Sequence, residues 1–234
     1  MAARAAANPR SNHQADGHRE RLRSRFAKAG ADALPDYELL EMVLFRAIRR
    51  GDTKPLAKAL LSEFGSFAEV VSASPERLTT VPGIGAAAAG EIKLVHAAAL
   101  RMIRTGAFGR RKLQSWTAVL DYLRATLAYA PIEHFRILFL DRRNQLIADE
   151  EQQRGTVDHT PVYPREVMKR ALELGASAIV LVHNHPSGDP TPSAADVEMT
   201  RRIVDAGQKL QVAVHDHIII ARGGHASFKA LGLL

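Results

Sequence analysis

Hydrophobic positions in the amino-terminal part of the chain recur every three or four residues, which is the period of an amphipathic helix. A first series precedes Gly51 and consists of Leu40, Val43, Leu44, Ala47 and Ile48. A second series begins with Pro55 in the first helical turn and ends at Gly65. Its inward positions are Leu56, Ala59, Leu60 and Phe64. Ser66 and Ser74 stand where two further helices need an N-cap, so the pattern predicts a small all-helical module.

Beyond about residue 112 the pattern changes, because short β-rich apolar runs alternate with helical stretches. The predicted strands cover residues 135–140, 145–148, 152–157, 178–182 and 212–221. The predicted helices begin after Ser115, at Pro164 and at Ala194, and Gly175 closes the second of them. Strands interleaved with helices indicate α/β or α+β layering.

A basic stretch separates these two patterns. Between Arg101 and Lys112 there is no acidic residue, and the chain carries Arg104, Gly106, Gly109, Arg110 and Arg111. This composition is that of a flexible connector, which either is simply solvated or contacts phosphate groups. The first residues show no hydrophobic period and suit a mobile tail. We therefore expect a disordered tail at 1–18, a helical domain at 19–105, a basic linker at 106–112 and a second domain at 113–234.

Composition restricts the possible kinds of active site more than it restricts the possible folds. The 234 residues include no Cys and ten His, so disulfides, thiolate nucleophiles and iron–sulfur clusters are excluded, and a tight metal site must use His and carboxylates. A net charge of +7 favours polyanionic partners. No apolar run approaches the roughly 18 residues of a membrane span, and the first residues lack the apolar segment of a secretory signal. We expect a cytoplasmic protein without a membrane partner.

Two histidines stand at the end of the most apolar predicted strand. His183 and His185 are two residues apart, and side chains at that spacing point to the same face of a strand, so both imidazoles can converge. Asp196 follows eleven residues after His185, near a predicted helix start, and can supply a third ligand. Two His and one carboxylate leave the fourth position of a tetrahedral Zn²⁺ open for water, which is typical of catalytic zinc. Ser193 and Asp196 also have the spacing of a capping box, which explains Asp196 without a metal.

Other histidines and carboxylates are weaker candidates. A second pair with the same spacing, His215 and His217, also lies on a predicted strand, but Phe228 occupies the position eleven residues after His217. We expect this pair to be structural, or to contact a metal ligand rather than the metal. Asp189 and His159 are candidates for lining the cleft, without support from their spacing.

The string His183-x-His185-x7-Ser193-x2-Asp196 resembles the JAMM motif of the MPN+ metallopeptidases. The sequence HNHPSG at 183–188 resembles the bacterial RadC family in particular. The resemblance extends through residues 133–141, 155–156, 164–166 and 216–219. The resemblance implies that residues 113–234 form an MPN (JAMM) domain with the cytidine-deaminase-like α/β/α fold. It also implies that His183, His185 and Asp196 bind one zinc ion per chain.

The chemistry implied by this resemblance needs a glutamate upstream of the histidines, which takes a proton from the metal-held water and hands it to the leaving amine. Glu133 precedes the first predicted strand of the second domain, fifty residues before His183, and is our preferred candidate. Glu166 is the alternative, although its place in a first helical turn suits an interaction with the helix dipole. We expect Ser193 to donate a hydrogen bond to the oxyanion, or else to cap the following helix.

Residues 78–85 of the helical module resemble a helix-hairpin-helix motif. Gly83 and Gly85 allow the tight turn, and the amides at the start of the next helix can hold a DNA phosphate without reading sequence. The residues after the turn include no cation before Lys93, which is our candidate for a further DNA contact. The amino-terminal region of RadC proteins carries a similar hairpin. Alternatively, the hairpin only packs two helices together.

Two functions follow from these expectations. The first is a RadC-like zinc-dependent metallohydrolase, a peptidase or isopeptidase that acts on a protein or peptide. The second is a DNA-associated repair or recombination factor, with DNA bound by the amino-terminal domain and zinc in a structural role. A metal-dependent nuclease is disfavoured, because two-metal phosphoryl chemistry relies on more carboxylates than this motif contains.

Overall fold

The computed structural model of the protein describes residues 9–108, 115–154 and 162–234. The chain divides into two compact units, of which the first ends at Ala99 and the second begins at Leu100. Among the described residues, no helix combines the length and the apolar character that crossing a membrane requires.

The described residues of the first unit form helices joined by turns and loops, without a strand. Its helices are α1 (Pro9–Ala29), α2 (Asp36–Leu44), α3 (Lys54–Phe64), α4 (Phe67–Ser72), α5 (Pro75–Leu78) and the first part of α6 (Ala86–Phe108), with a short 3-10 helix at Ala31–Ala33. Ser66 and Ser74 cap α4 and α5 by accepting hydrogen bonds from the backbone amides of Glu69 and Arg77. Gly65 ends α3 in the left-handed region, with a φ of 97°. The predicted all-helical module is confirmed.

A hydrophobic core holds α2 to α6 together. Its buried members come from each of these helices and from the turn before α6, and they include Leu40, Leu44, Leu60, Val70, Leu78, Ile84 and Ile92. Most positions that the helical period predicts to face inward in α2 and α3 belong to this core. Ala59, which the same period also turns inward, is exposed.

The disordered tail predicted for residues 1–18 is wrong from Pro9 onward, because α1 begins there. Specific long-range contacts rather than a periodic apolar face anchor the carboxyl half of this helix. Leu22 is buried, and the guanidinium of Arg19 donates to the carbonyl oxygens of residues 48, 49 and 51. Hydrophobic periodicity cannot predict long-range hydrogen bonds of this kind. The first eight residues lie outside the described part of the chain.

The helix α6 also continues into the segment predicted to be a basic linker. It reaches Phe108, and the side chains of Ala107 and Phe108 are buried in a core of the second unit. Residues 106–108 are therefore helical rather than a flexible connector, and Ala107 and Phe108 are packed. The remainder of the predicted linker, residues 109–112, lies outside the described residues.

The second unit contains a five-stranded mixed sheet. Its elements after α6 are α7 (Trp116–Leu127), β1 (His134–Leu140), β2 (Leu146–Arg154), α8 (Pro164–Glu173), β3 (Ala178–Asn184), α9 (Ala194–Lys209), β4 (Ala213–Ala221) and β5 (Gly224–Ser227). The strand order is β2-β1-β3-β4-β5, with β3 and β4 parallel and the other neighbours antiparallel. The runs predicted at 145–148 and 152–157 belong to the one strand β2 as far as residue 154, and β5 has no counterpart among the predicted strands.

Helices cover both faces of this sheet. On one face, the end of α6 and α7 pack against strand residues such as Leu138, Val180 and Ile218. On the other face, α8 and α9 pack against the alternate residues, such as Ile137 and Leu181. Because both faces are covered, β3 is an uninterrupted buried run instead of an alternating one. The expected α/β/α architecture is confirmed.

This topology puts the carboxyl end of β3 in the middle of the sheet. Phe135 of β1 and Ile219 of β4 are the register partners of His183 on its two sides. The chain leaves β3 through a loop and returns to begin α9. The β4–β5 turn supports that loop, since the backbone amide of Gly223 donates to the carbonyl oxygen of Gly188 at 3.0 Å.

Candidate metal centre

The end of β3 brings two imidazoles together. His183 is fully buried. His185 lies just past the strand, and its backbone amide still donates to the carbonyl oxygen of Ile220 in β4 at 2.9 Å, which continues the strand direction. The Nε2 atoms of the two rings lie 3.0 Å apart.

Asp196, in the first turn of α9, reaches both rings. Its Oδ1 lies 3.3 Å from His183 Nε2, and its Oδ2 lies 3.5 Å from His185 Nε2. The carboxylate is largely buried, with 13% of its side chain exposed. The start of α9 thus delivers the carboxylate to the two histidines that end β3.

The same carboxylate completes a capping box with Ser193. The backbone amide and the hydroxyl of Ser193 donate to Asp196 Oδ2 at 2.8 and 2.6 Å, and the amide of Asp196 donates back to Ser193 Oγ at 3.2 Å. The capping box and the metal-ligand interpretation of Asp196 are therefore compatible, because the cap orients a carboxylate that still faces both histidines.

These three side chains could hold a metal ion. The Nδ1 atom of each ring is engaged away from the cluster, His185 Nδ1 with the carbonyl oxygen of Asp189 and His183 Nδ1 with His217 Nε2, both at 2.8 Å. One ligand atom from each of His183, His185 and Asp196 lies within 4.8 Å of the others. A tetrahedral Zn²⁺ with bonds of about 2.0–2.1 Å would separate its ligand atoms by about 3.3 Å, close to the observed spacings.

The electrostatics of the cluster favour an ionised carboxylate. Burial alone would raise the pKa of Asp196, but the facing imidazoles of His183 and His185 and the hydroxyl of Ser193 outweigh it and hold this pKa far below its usual range. The hydrogen bond to Asp196 raises the pKa of His185, against the opposing effect of burial. A negatively charged oxygen beside two imidazoles is a suitable donor set for a divalent cation.

Glu133 immediately precedes β1, in a segment that is tied to the end of β3. The side chain of Asn184, which sits between the two histidines, clamps the segment in place: its Oδ1 accepts from the amide of His134 at 2.9 Å, and its Nδ2 donates to the carbonyl oxygen of Ile132 at 3.0 Å. The charge of Glu133 contributes to the raised pKa of His185. Sequence reasoning missed Asn184, although an amide in an otherwise apolar strand was a signal that could have found it.

The alternative glutamate, Glu166, is placed differently. It is exposed in the first turn of α8 and accepts a hydrogen bond from the guanidinium of Arg165 at 3.1 Å. The carboxylate of Asp189 is engaged locally, because its Oδ1 accepts from the amide and the hydroxyl of Thr191 at 2.9 and 2.7 Å. His159 lies outside the described residues, as do residues 155–156 of the family likeness.

The two histidines of the second pair have separate environments. His215 is exposed, and its Nε2 lies 2.9 Å from Asn144 Oδ1. His217 is fully buried and contacts His183 from behind the candidate centre. Burial lowers the pKa of His217 well below its ordinary value.

The predicted DNA contacts of the first unit need one correction. Gly83 does make the turn before α6, with a φ of 89°, and a Cβ there would lie 2.7 Å from Leu56 Cδ2, while Gly85 immediately precedes the helix. Lys93, however, donates its ammonium hydrogens to backbone carbonyl oxygens at the end of α4. It is therefore a structural cation, because its hydrogens are already committed inside the protein.

The fold and the cluster together define an α/β/α domain of the JAB type with a His-His-Asp group that could hold a metal. Residues 113–233 match the family model described as RadC-like JAB domain, and residues 17–90 match the model described as UPF0758 N-terminal. The chain is 60% identical over 213 residues to a UPF0758 protein of Rhodobacter capsulatus, an alignment that covers 91% of this chain and 100% of that protein. The chain belongs to the RadC-like JAB family.

Proposed function

We propose that this protein is a zinc-dependent metallohydrolase that cleaves amide bonds in a protein or peptide, as a peptidase or isopeptidase. The observation that carries the proposal is the convergence of His183, His185 and Asp196 at the end of β3, beside the segment that bears Glu133. Membership of the RadC-like JAB family supports it.

When held by these three side chains, zinc would lower the pKa of a water molecule to about 7 and polarise the substrate carbonyl. The protein's own residues have the remaining roles. Asn184 fixes the backbone on either side of Glu133. The carboxylate of Glu133 accepts a proton and then hands it to the leaving amine.

In this proposal the Ser193 hydroxyl first orients Asp196 and then donates to the oxyanion of the substrate. Its hydroxyl has a single hydrogen, which it donates to Asp196 Oδ2 at 2.6 Å. Donation to the oxyanion of the substrate therefore requires the hydroxyl to rotate away from Asp196. The backbone amide of Ser193, at 2.8 Å from the same oxygen, continues to hold the carboxylate when it does.

The alternative, a DNA-associated factor with structural zinc, has less support. The tight turn at Gly83 is present, but Lys93 is bonded to backbone oxygens of its own unit. The described residues do not support a nuclease. Two-metal catalysis needs several hard oxygen ligands, and the candidate metal cluster among these residues contains one carboxylate.

The test compares metal content and hydrolysis in a small set of variants. Elemental analysis of the gently purified protein should give near-stoichiometric zinc, which His183→Ala loses and Glu133→Gln keeps. Hydrolysis of a mixture of unstructured peptides, followed by mass spectrometry, should fall about 10²–10⁴-fold in Glu133→Gln, because the proton carrier is removed.

Glu166→Gln is the matched control, since Glu166 is exposed and paired with Arg165. It should retain both zinc and activity. A Glu133→Gln variant as active as the unaltered protein would contradict the catalytic role of Glu133. Zinc-loaded protein that hydrolyses no amide bond would favour the structural-zinc alternative.

A further inference from the structure

Three side chains form a hydrogen-bonded relay behind the candidate metal centre. His183 Nδ1 lies 2.8 Å from His217 Nε2, and His217 Nδ1 lies 2.6 Å from Thr200 Oγ1. Thr200 Oγ1 in turn lies 2.6 Å from the backbone carbonyl oxygen of Asp196. The relay thus starts at one candidate ligand and ends at the backbone of another, and it joins β3, β4 and α9.

The direction of each hydrogen bond follows from the last link. A carbonyl oxygen can only accept, so Thr200 donates its one hydroxyl hydrogen to Asp196. Thr200 Oγ1 then offers only lone pairs to His217, so His217 Nδ1 carries a hydrogen. The ring of His217 is fully buried between Phe135 and Phe228, and its two nitrogens face His183 and the Thr200 hydroxyl. Such a site holds the uncharged imidazole, because burying an unpaired charge is costly, and its Nε2 therefore has a lone pair. That lone pair accepts from His183 Nδ1.

The three side chains lie in an apolar, buried environment, so the loss of any of these hydrogen bonds would cost free energy. His183, Thr200 and His217 are each fully buried. The ring of His217 packs against Phe135 and Phe228, with centroid separations of 6.0 and 4.5 Å. A buried polar group that loses its partner in an apolar environment carries the full penalty of its desolvation. A change at Thr200 is therefore transmitted along the relay instead of being absorbed by solvent.

We propose that Thr200 and His217 are positioning residues that select the tautomer of His183 with a hydrogen on Nδ1 and an open Nε2 toward the metal. This rests on the proposed function, because it deepens the account of the same metal site. A hydrogen bond at the far nitrogen of a ligating histidine orients the ring and makes the other nitrogen more basic. The Thr200 hydroxyl also ties that orientation to the helix turn that carries Asp196.

Removing the Thr200 hydroxyl tests the direction of the relay. In Thr200→Val, which has a similar shape, His217 Nδ1 loses its acceptor, so the ring can move its hydrogen to Nε2 and donate to His183 Nδ1. The hydrogen of His183 then lies on Nε2, where it blocks the metal. We expect zinc affinity, measured by competition with a chromophoric chelator, to fall about ten- to a hundredfold. Thr200→Ser, which keeps the hydroxyl, should restore it.

His217→Phe tests the middle of the relay and keeps an aromatic ring between Phe135 and Phe228. It should weaken zinc binding by a similar factor, because His183 Nδ1 loses its acceptor. His215→Phe is the matched control on the same strand, since His215 is exposed and contacts Asn144. Its zinc affinity should equal that of the unaltered chain. Circular dichroism establishes that each variant is folded.

Nitrogen-15 NMR of the metal-free protein reads the tautomer independently of zinc, at about pH 9, above the ordinary histidine pKa of about 6.5. His183 should carry its hydrogen on Nδ1 in the unaltered chain and on Nε2 in Thr200→Val. The opposite tautomer in the unaltered chain would overturn the proposal, as would folded Thr200→Val and His217→Phe variants that bind zinc as tightly as the parent. An unaltered chain that binds no zinc would instead overturn the proposed function, and the NMR result would still decide the relay.

Discussion

Lys93 places its ammonium group against the carboxyl end of α4. Its Nζ donates to the carbonyl oxygens of Val71, Ser72 and Ala73 at 2.9, 3.2 and 3.0 Å. A helix end leaves its last carbonyl oxygens without partners in the helix, and a cation there also interacts favourably with the helix dipole. Burial lowers the pKa of Lys93. One side chain therefore joins α6 to α4.

We expect Lys93→Met to lower the free energy of unfolding of the protein by about 1.5–3 kcal/mol, the usual contribution of hydrogen bonds to a charged group. Urea unfolding measures the loss, and Lys28→Met, which removes an exposed lysine of α1, is the control with little effect. Any DNA retardation in a gel should be the same for Lys93→Met and Lys28→Met. A selective loss of DNA binding in Lys93→Met would restore the original prediction of a DNA contact.

At the scale of elements, the end of α9 packs directly onto the chain that leads into β4. A Cβ added at Gly207 would lie 2.4 Å from the carbonyl oxygen of Val212, whose amide donates to the carbonyl oxygen of Gly207 at 2.9 Å. Glycine at 207 is thus required by the close approach of two backbones. This contact helps to set how α9, and with it Asp196, lies on the sheet.

Gly207→Ala should destabilise the second unit by about 1–3 kcal/mol, because the added methyl group overpacks a backbone contact. Gly106→Ala is the matched control, since a Cβ at that position in α6 meets nothing within 4 Å. It should leave the stability unchanged or raise it slightly, because alanine has a higher helix propensity than glycine and Gly106 lies in the last turn of α6. Chemical unfolding of both variants measures the difference. Equal midpoints would refute the packing assignment.

A bidentate ion pair connects β2 to α8. Arg170 donates to Glu150 at 2.6 and 2.8 Å, and this hydrogen bonding lowers the pKa of Glu150 from its ordinary value of 4.5. A carboxyl group whose pKa is lowered on folding contributes stability above its unfolded value and loses that contribution as the pH falls through its folded value.

We therefore expect the unaltered chain to be more stable than Glu150→Gln near neutral pH, and the difference to shrink as the pH falls below 4.5. Urea unfolding of both proteins over a pH series measures this difference directly. Because only the difference between the two proteins is compared, acid effects at other carboxylates cancel. A difference that grows on acidification would have the wrong sign for this ion pair.

For the molecule as a whole, the proposed metal centre belongs to the second unit alone. Its three ligands come from the end of β3 and the start of α9, so bound zinc would cross-link those elements and leave the helices of the first unit unaffected. Ligand binding stabilises the folded state of the part that binds.

Zinc at about a hundred times its dissociation constant should add about 2.7 kcal/mol to the stability of the second unit. Amide hydrogen exchange, followed by mass spectrometry, should slow in β3 and α9 on adding zinc and recover on adding a chelator. Exchange in α3 and α4 serves as the internal control and should not change. Equal protection of both units would show that zinc acts elsewhere.

The residues that could be predicted from sequence are those whose signals are local. Ser66 and Ser74 are caps three residues from their partners, and His183 and Asp196 are thirteen residues apart on a strand and the helix that follows it. Asn184, Thr200 and His217 are different, because each gains its role from a partner on another element. The helix α1 likewise depends on contacts from Arg19 to residues about thirty positions away.

By itself, the sequence determined the helical module, the α/β class of the second unit and the His-His-Asp string, because periodicity, caps and short spacings act between neighbours in the chain. Only the tertiary structure decided that Lys93 bonds to α4, that Asn184 clamps the segment of Glu133, and that Thr200 and His217 form a relay to His183. These are consequences of which elements pack together, and the packing arises from the burial of the whole core rather than from any single stretch of residues.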